Sequence, residues 1–546
     1  MKNKLFLLLL CLCSCIAQNT NTFSKNIIVV DENKRQIKGE IIKSWQHKDI
    51  FEDTIQGMSV ERAYSEILSK KRGNTVIVAV IDGGTDIEHE DLKDQIWVNE
   101  KEIPNNNIDD DKNGYVDDIH GWNFLGSTNG ENQYYARWEF VRILTKKGLL
   151  TKEGLEQPKE EKDSLILEAI KFYQNAKNTL DTDLRYIEEQ NNYLKEIREK
   201  LKNYFPNQNY NFETLKTIDT LKNPELSRPA RKLHEFLTYG LTQESLDEYA
   251  KYVYSIRDYK LNYAYKDRKI SNDNVEHFND TNYGNNIIIE DKSIDTHGTS
   301  VSGLIAATRN NNIGIDGIAD HVKLMILRTV PQGDEYDKDV ALAIRYAVDN
   351  GAKVINMSFG KFFSPQKEMV FDAIQYAAEK DVVLVHGSGN DGKNLDVYNF
   401  YPLDYTNSEE FANNFINVGA LNTFLDHRLP AYFSNYGKKN LDVFAPGKDL
   451  YTTAVNNKYV VEDGTSLAAP LVSGVAAVIR SRYPDLSASQ VKHIILESGN
   501  SYNINVRFPG NAKGPKAPFS DLSKSGKVVN LYNALLMAEQ ISKKQK

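Results

Sequence analysis

Asp463 to Val478 reads DGTSLAAPLVSGVAAV, and this stretch restricts the fold more than any other. Small residues let other backbone approach closely, and an apolar helix with no polar face has to be buried. Ser466 therefore stands at the start of a helix inside the protein. Pro470 lacks an N–H and is expected in the first helical turn, where no internal acceptor needs one.

Thr75 begins TVIVAVIDGG, a β-branched run that reads as a buried parallel strand ending in Asp82. Runs of the same kind begin at Val322, Ala352, Asp381 and Phe415. Helical stretches such as VALAIRYAVDNG from Val340 and EMVFDAIQYAAEKD from Glu368 alternate with them. Strands alternating with helices imply an α/β fold with a mainly parallel sheet, whose ligands bind at the carboxyl ends of the strands. Residues 134–265 break this rhythm. Ile166, Ile170, Tyr173, Leu180, Leu184, Ile187, Leu194 and Leu201 follow three-and-four spacing, which predicts a long helix or helical hairpin inserted into the α/β domain. SVERAYSEILSKKRG predicts a helix capped by Ser59 and stopped at Gly73.

The chain has 546 residues and a formal net charge of -8, and its 75 acidic against 67 basic side chains give no basic face for nucleic acid. It opens with MKNKLFLLLLCLCSCIAQ, a basic start and short apolar run that reads as a secretory signal over residues 1–17. An N-terminal extension then covers 18–71, and 72–546 forms the main domain. LCSC, ending at Cys15, is similar to a bacterial lipobox, which implies an acylated Cys15 and attachment to a membrane of the cell envelope. Cleavage after Ala17, leaving Gln18 first and a freely secreted chain, is the alternative. All three cysteines lie in this segment, so the mature chain has no internal disulfide.

A serine at a helix start is far more often a cap than a nucleophile. A nucleophile needs a base and an orienting acid. Among ten histidines, His297 heads a second small-residue helix in DTHGTSVSGLIAA, and Asp82 ends an apolar strand where α/β sheets place their sites. Asp82 in VAVIDGGTDIEHEDL, His297 in HGTSVSG and Ser466 in GTSLAAP together resemble the catalytic segments of subtilisin-like serine peptidases, in that family's chain order. The likeness runs from about Thr75 to Val478 outside the helical insertion, and takes in AYFSNYG and LDVFAPG.

The resemblance implies a three-layer fold and hydrolysis of extended polypeptides, with Ser466 as nucleophile, His297 as base and Asp82 orienting it. It implies that Asn390, in HGSGNDG, donates to the oxyanion. Ser358, Phe359 and Gly360 would pair with substrate backbone, and Gly387, Ser388 and Gly389 would wall the primary pocket. Two positions depart from the family: Leu467 stands where Met is usual, and Ser300 where many relatives carry a further His. No pro-domain is recognisable between Gln18 and Lys71. The competing readings are an idle homologue that binds peptides or partners through the same cleft, and a lipid-tethered protein whose working part is the Tyr-rich insertion.

NIDDDKNGYVDD places Asp109, Asp111, Asn113, the Tyr115 carbonyl and Asp117 at the ligand offsets of a calcium loop. Position twelve is His120 and not Glu, so the expectation is a structural calcium site without an EF-hand. Side-chain preference for substrate is not readable from the sequence.

Overall fold

Val76 to Asp82 has no polar face because both of its faces are covered. Val76, Val78 and Val80 enter one apolar cluster, while Ala79 and Ile81 enter another. Successive strand residues point to opposite faces, so a run covered on both sides must be apolar throughout.

The computed structural model describes residues 27–29, 39–70, 72–156, 158, 161–207, 210–218, 224–406 and 409–545. Cys15 and the expected signal segment lie outside the described residues. Ten strands form the central sheet: β1 (Ile27–Val29), β2 (Val76–Asp82), β3 (Gly121–Asn123), β4 (Val322–Arg328) and β5 (Val354–Met357), then β6 (Val383–Gly387), β7 (Phe415–Leu421), β8 (Val443–Pro446), β9 (Asn500–Asn503) and β10 (Lys527–Val528). Their spatial order is β1-β9-β10-β8-β7-β6-β5-β2-β4-β3. β9 and β10 run antiparallel, and every other neighbouring pair is parallel.

Helices His297–Ala306 and Thr465–Arg482 cover one face of the sheet, and Asp337–Asp349 and Lys367–Glu379 cover the other. The protein thus has the expected three-layer α/β architecture with a mainly parallel sheet. In chain order, α1 is Ser164–Leu201, α2 is His297–Ala306 and α3 is Thr465–Arg482.

The 38-residue helix α1 is capped by Asp163, whose carboxylate accepts from the Leu165 N–H at 2.9 Å. Ile166, Ile170, Leu180, Ile187, Leu194 and Leu201 form its buried stripe. They share an apolar cluster with Phe140, Leu233, Phe236, Val253 and Phe363. Phe363 follows β5, so this cluster grips the sheet. Beside it, buried Lys361 lies 2.8 Å from Glu139 and 2.9 Å from Asp337, and Glu139 also pairs with Arg142 at 2.5 Å.

The N-terminal extension packs on the first face. Trp45 is fully buried and donates to the Lys448 carbonyl at 3.1 Å, and Ile50, Ile55 and Met58 join the main cluster. Ser59 makes no side-chain cap bond to the helix Val60–Glu66. Its backbone is left-handed (φ 57°) and its hydroxyl instead accepts from Asn530 Nδ2 at 2.7 Å, so tertiary contact replaces the expected cap.

Candidate active site

Strand parity aims Asp82 at α2. It follows Val76, Val78 and Val80 onto the face where Val301, Leu304 and Ile305 of that helix pack. Asp82 is 1% exposed, and its Oδ1 accepts from the Gly83 N–H at 2.7 Å and lies 2.8 Å from His297 Nδ1. A proton held on Nδ1 by this carboxylate leaves the Nε2 lone pair outward. The approach is tight: a Cβ on Gly298 would fall 2.6 Å from Thr85 Oγ1 and 2.8 Å from the Gly84 carbonyl. Burial lowers the His297 pKa, but the charge and hydrogen bond of Asp82 outweigh it and push it up to about 9. The ring keeps 40% of its side-chain surface, so water screens part of that attraction.

Two residues that the motifs do not single out hold this corner. Asp295 accepts from the Gly84 N–H at 2.6 Å and pairs with Arg328 at the end of β4. Arg328 is buried and also donates to Asn123 Oδ1 at 2.9 Å and to the Gln133 carbonyl at 2.8 Å. A charged residue closing the apolar run VKLMILR is the one hint the sequence carries.

Every residue of α3 except Ser466 is buried. Pro470 is the sixth residue of the helix and not part of its first turn, which corrects the expectation above. Its missing N–H deprives the Ser466 carbonyl of its helical donor. The Ser358 hydroxyl supplies one at 2.7 Å. Ser358 in turn accepts from Asn356 Nδ2 at 2.9 Å, and Asn356 Oδ1 accepts from Ser473 of α3 at 2.9 Å. The end of β5 is thereby tied to the serine.

Asn390 is held by its acceptor end. Its Oδ1 accepts from the Thr465 N–H at 2.9 Å and the Thr465 hydroxyl at 3.0 Å. The backbone N–H can only donate, so Nδ2 is the end left over. A Cβ on Gly464 would lie 2.7 Å from Ser466 Oγ and 3.7 Å from Asn390 Nδ2, so hydroxyl and amide flank one small space.

A cleft of about 600 Å³ opens there, and Ser358, Phe359, Gly360, Gly387 and Gly389 line it beside Ser466. Ser388 faces elsewhere: it is buried, with its hydroxyl 3.4 Å from the Asn435 carbonyl. Phe172, Ala176 and Thr179 of α1 line the same cleft; the spacing predicts their helix, but nothing in the sequence places it here.

In the acidic loop, Asp109 and Asp111 meet Glu102, with carboxylate oxygens within 4.8 Å of one another. Glu102 lies upstream of the motif, outside any loop template. Asp117 instead accepts from the Asn106 and Asn107 N–H groups at 3.2 and 2.9 Å, and Asn113 Oδ1 accepts from the Tyr115 N–H at 2.8 Å. The donors are hard oxygens that suit calcium. Beside them, burial foremost pushes the Asp118 pKa up to about 6.

Residues 73–516 match Peptidase_S8, the subtilase family. The thermophilic serine proteinase of Bacillus sp. (strain AK1) is 38% identical over 190 residues, 35% of this chain and 43% of that protein. Subtilisin DY of Bacillus licheniformis is 36% identical over 215 residues, 39% of this chain and 72% of that protein. The cell wall-associated protease of Bacillus subtilis (strain 168) is 34% identical over 221 residues, 40% of this chain and 22% of that protein. The chain thus spans less than half the length of the first and third of these relatives.

Proposed function

The chain belongs to the subtilase family, and from that premise we propose that it is a serine endopeptidase acting on extended polypeptides. The observation that carries the reading is the buried Asp82 carboxylate 2.8 Å from His297 Nδ1, on the face that also receives the start of α3. His297 Nε2 takes the Ser466 hydroxyl proton as Oγ attacks the scissile carbonyl, and returns it to the leaving amine. Asp82 holds the imidazole tautomer and stabilises its charged form. Asn390 Nδ2 and the Ser466 N–H donate to the oxyanion. Water then attacks the acyl carbon while His297 takes its proton, and the bond to Ser466 Oγ breaks as His297 returns that proton to Oγ, releasing the acid and the free serine. Substrate backbone pairs as an added strand along Ser358–Gly360.

Calcium fits the loop, and Glu102, Asp109 and Asp111 would hold it. Bound there, it supplies positive charge that relieves repulsion among the carboxylates. The segment ending at Cys15 supports an exported protein of the cell envelope, anchored through lipid on Cys15.

A fluorophosphonate probe tests the central claim. Labelling at Ser466 in the wild type and its loss in Ser466→Ala is the expected result; a folded, calcium-loaded wild type that stays unlabelled refutes it and favours an idle peptide-binding homologue.

A further inference from the structure

The cleft beside Ser466 does not end at the sheet. It continues to α1 and to the start of the helix Glu139–Lys146, so that Trp138, Phe140, Phe172, Ala176 and Thr179 line the same cleft as Ser358 and Gly387. Phe172, Ala176 and Thr179 are four and three residues apart, so they present one face of α1. Phe172 and Ala176 are half-buried and Thr179 is exposed.

A continuous run of rings joins this face to the catalytic layer. The Phe172 ring lies 5.2 Å from Phe362 and 5.1 Å from Phe363, and Phe362 lies 5.3 Å from Phe400. Phe400 packs directly on Gly360 and Gly389, leaving no room for a Cβ at either. Of the charged side chains that line the cleft, Lys361 pairs with Glu139 and Asp334 accepts from the Glu139 N–H at 2.7 Å, while Asp391 and Lys393 lie on the Asn390 side, away from α1 in sequence.

We propose that α1 is the specificity wall of this peptidase, and that Phe172 and Ala176 select a large apolar, preferably aromatic, side chain on the acyl side of the scissile bond. The inference rests on the reading of Ser466 as nucleophile. A peptide paired along Ser358–Gly360 with its carbonyl at Ser466 directs that side chain into the cleft, because strand side chains alternate and the other direction meets the sheet. The aromatic rings on the α1 side welcome a ring. Ala176, small among large neighbours, leaves the space that the incoming side chain fills.

The test uses the full chain and peptides that differ only at this residue, carrying Phe, Leu, Ala or Glu. The wild type is expected to prefer Phe over Ala in kcat/KM by roughly tenfold or more. Ala176→Trp, and Thr179→Trp from the exposed edge of the same face, are each expected to cut that preference by about tenfold, while Lys195→Trp elsewhere on α1 leaves it in place. Fluorophosphonate labelling of Ser466 is followed in every variant. If the wild type does not label, the nucleophile reading falls and this inference with it. If Ser466 labels and the peptides are cleaved with unchanged preference in both Ala176→Trp and Thr179→Trp, α1 is no wall and this inference alone is overturned. Thr179→Trp carries the test where Ala176→Trp does not fold.

Discussion

At the scale of single residues, the site works by holding one end of a side chain so that the other is aimed. Asn390, fixed through Oδ1 by Thr465, is expected to act only as charge develops on the substrate oxygen. Asn390→Ala should therefore lower kcat by roughly 10²–10³, as such a loss does in subtilisin, with KM little changed; a rise in KM at constant kcat would contradict this role. His297 acts as a base only when neutral. With its pKa pushed up to about 9 by Asp82, against the ordinary 6.5, kcat/KM should climb with pH through the window between those values. A profile already flat at pH 6.5 would refute it. The same shift makes the His297–Asp82 contact stabilise the fold fully below pH 6.5 and lose that effect as pH rises through about 9. Asp82, His297 and Ser466 were legible because each begins or ends a strongly patterned element. Asp295 and Arg328 were not, since a buried ion pair between distant segments has no local period. Pro470 was read one turn too early, because helix starts are the least certain part of a sequence pattern.

Elements were legible where a period runs long. Five apolar runs are strands of the central sheet, and the three-and-four spacing from Ile166 to Leu201 is one continuous helix. What packs against what was not legible: nothing in the order of residues says that Phe172 meets Phe362, or that Trp45 reaches Lys448. Both junctions can be tested. Lys361 is buried between Glu139 and Asp337, so Lys361→Ala leaves buried Asp337 without its cation and Glu139 with Arg142 alone. A loss of about 3–5 kcal/mol in urea denaturation is expected; a loss under about 1 kcal/mol, the range of exposed pairs, would show the helical region to be only loosely joined to the sheet. Trp45→Ala should cost about 3–5 kcal/mol by the same measurement, because it empties a closed site in the main cluster.

For the molecule as a whole, calcium is expected to act on stability and not on chemistry, since Glu102, Asp109 and Asp111 take no part in the catalytic steps. Calcium at about 100 times its Kd should add about 2.7 kcal/mol, and chelation should remove that increment in the wild type but not in Glu102→Gln. Equal thermal midpoints with calcium and with chelator would exclude the site. The extension before Val60 has a further consequence, and it concerns time. Ser59 bonds to Asn530, 471 residues later, and Trp45 waits for Lys448, 403 residues later. At the usual 5–20 residues per second, a ribosome needs roughly 20–95 s to bring Asn530 out after Ser59. Asp82 is made early and Ser466 late, so the nascent chain holds half a catalytic apparatus for most of its birth. Under the proposed mechanism, a chain still on the ribosome has no nucleophile until residue 466 has been added.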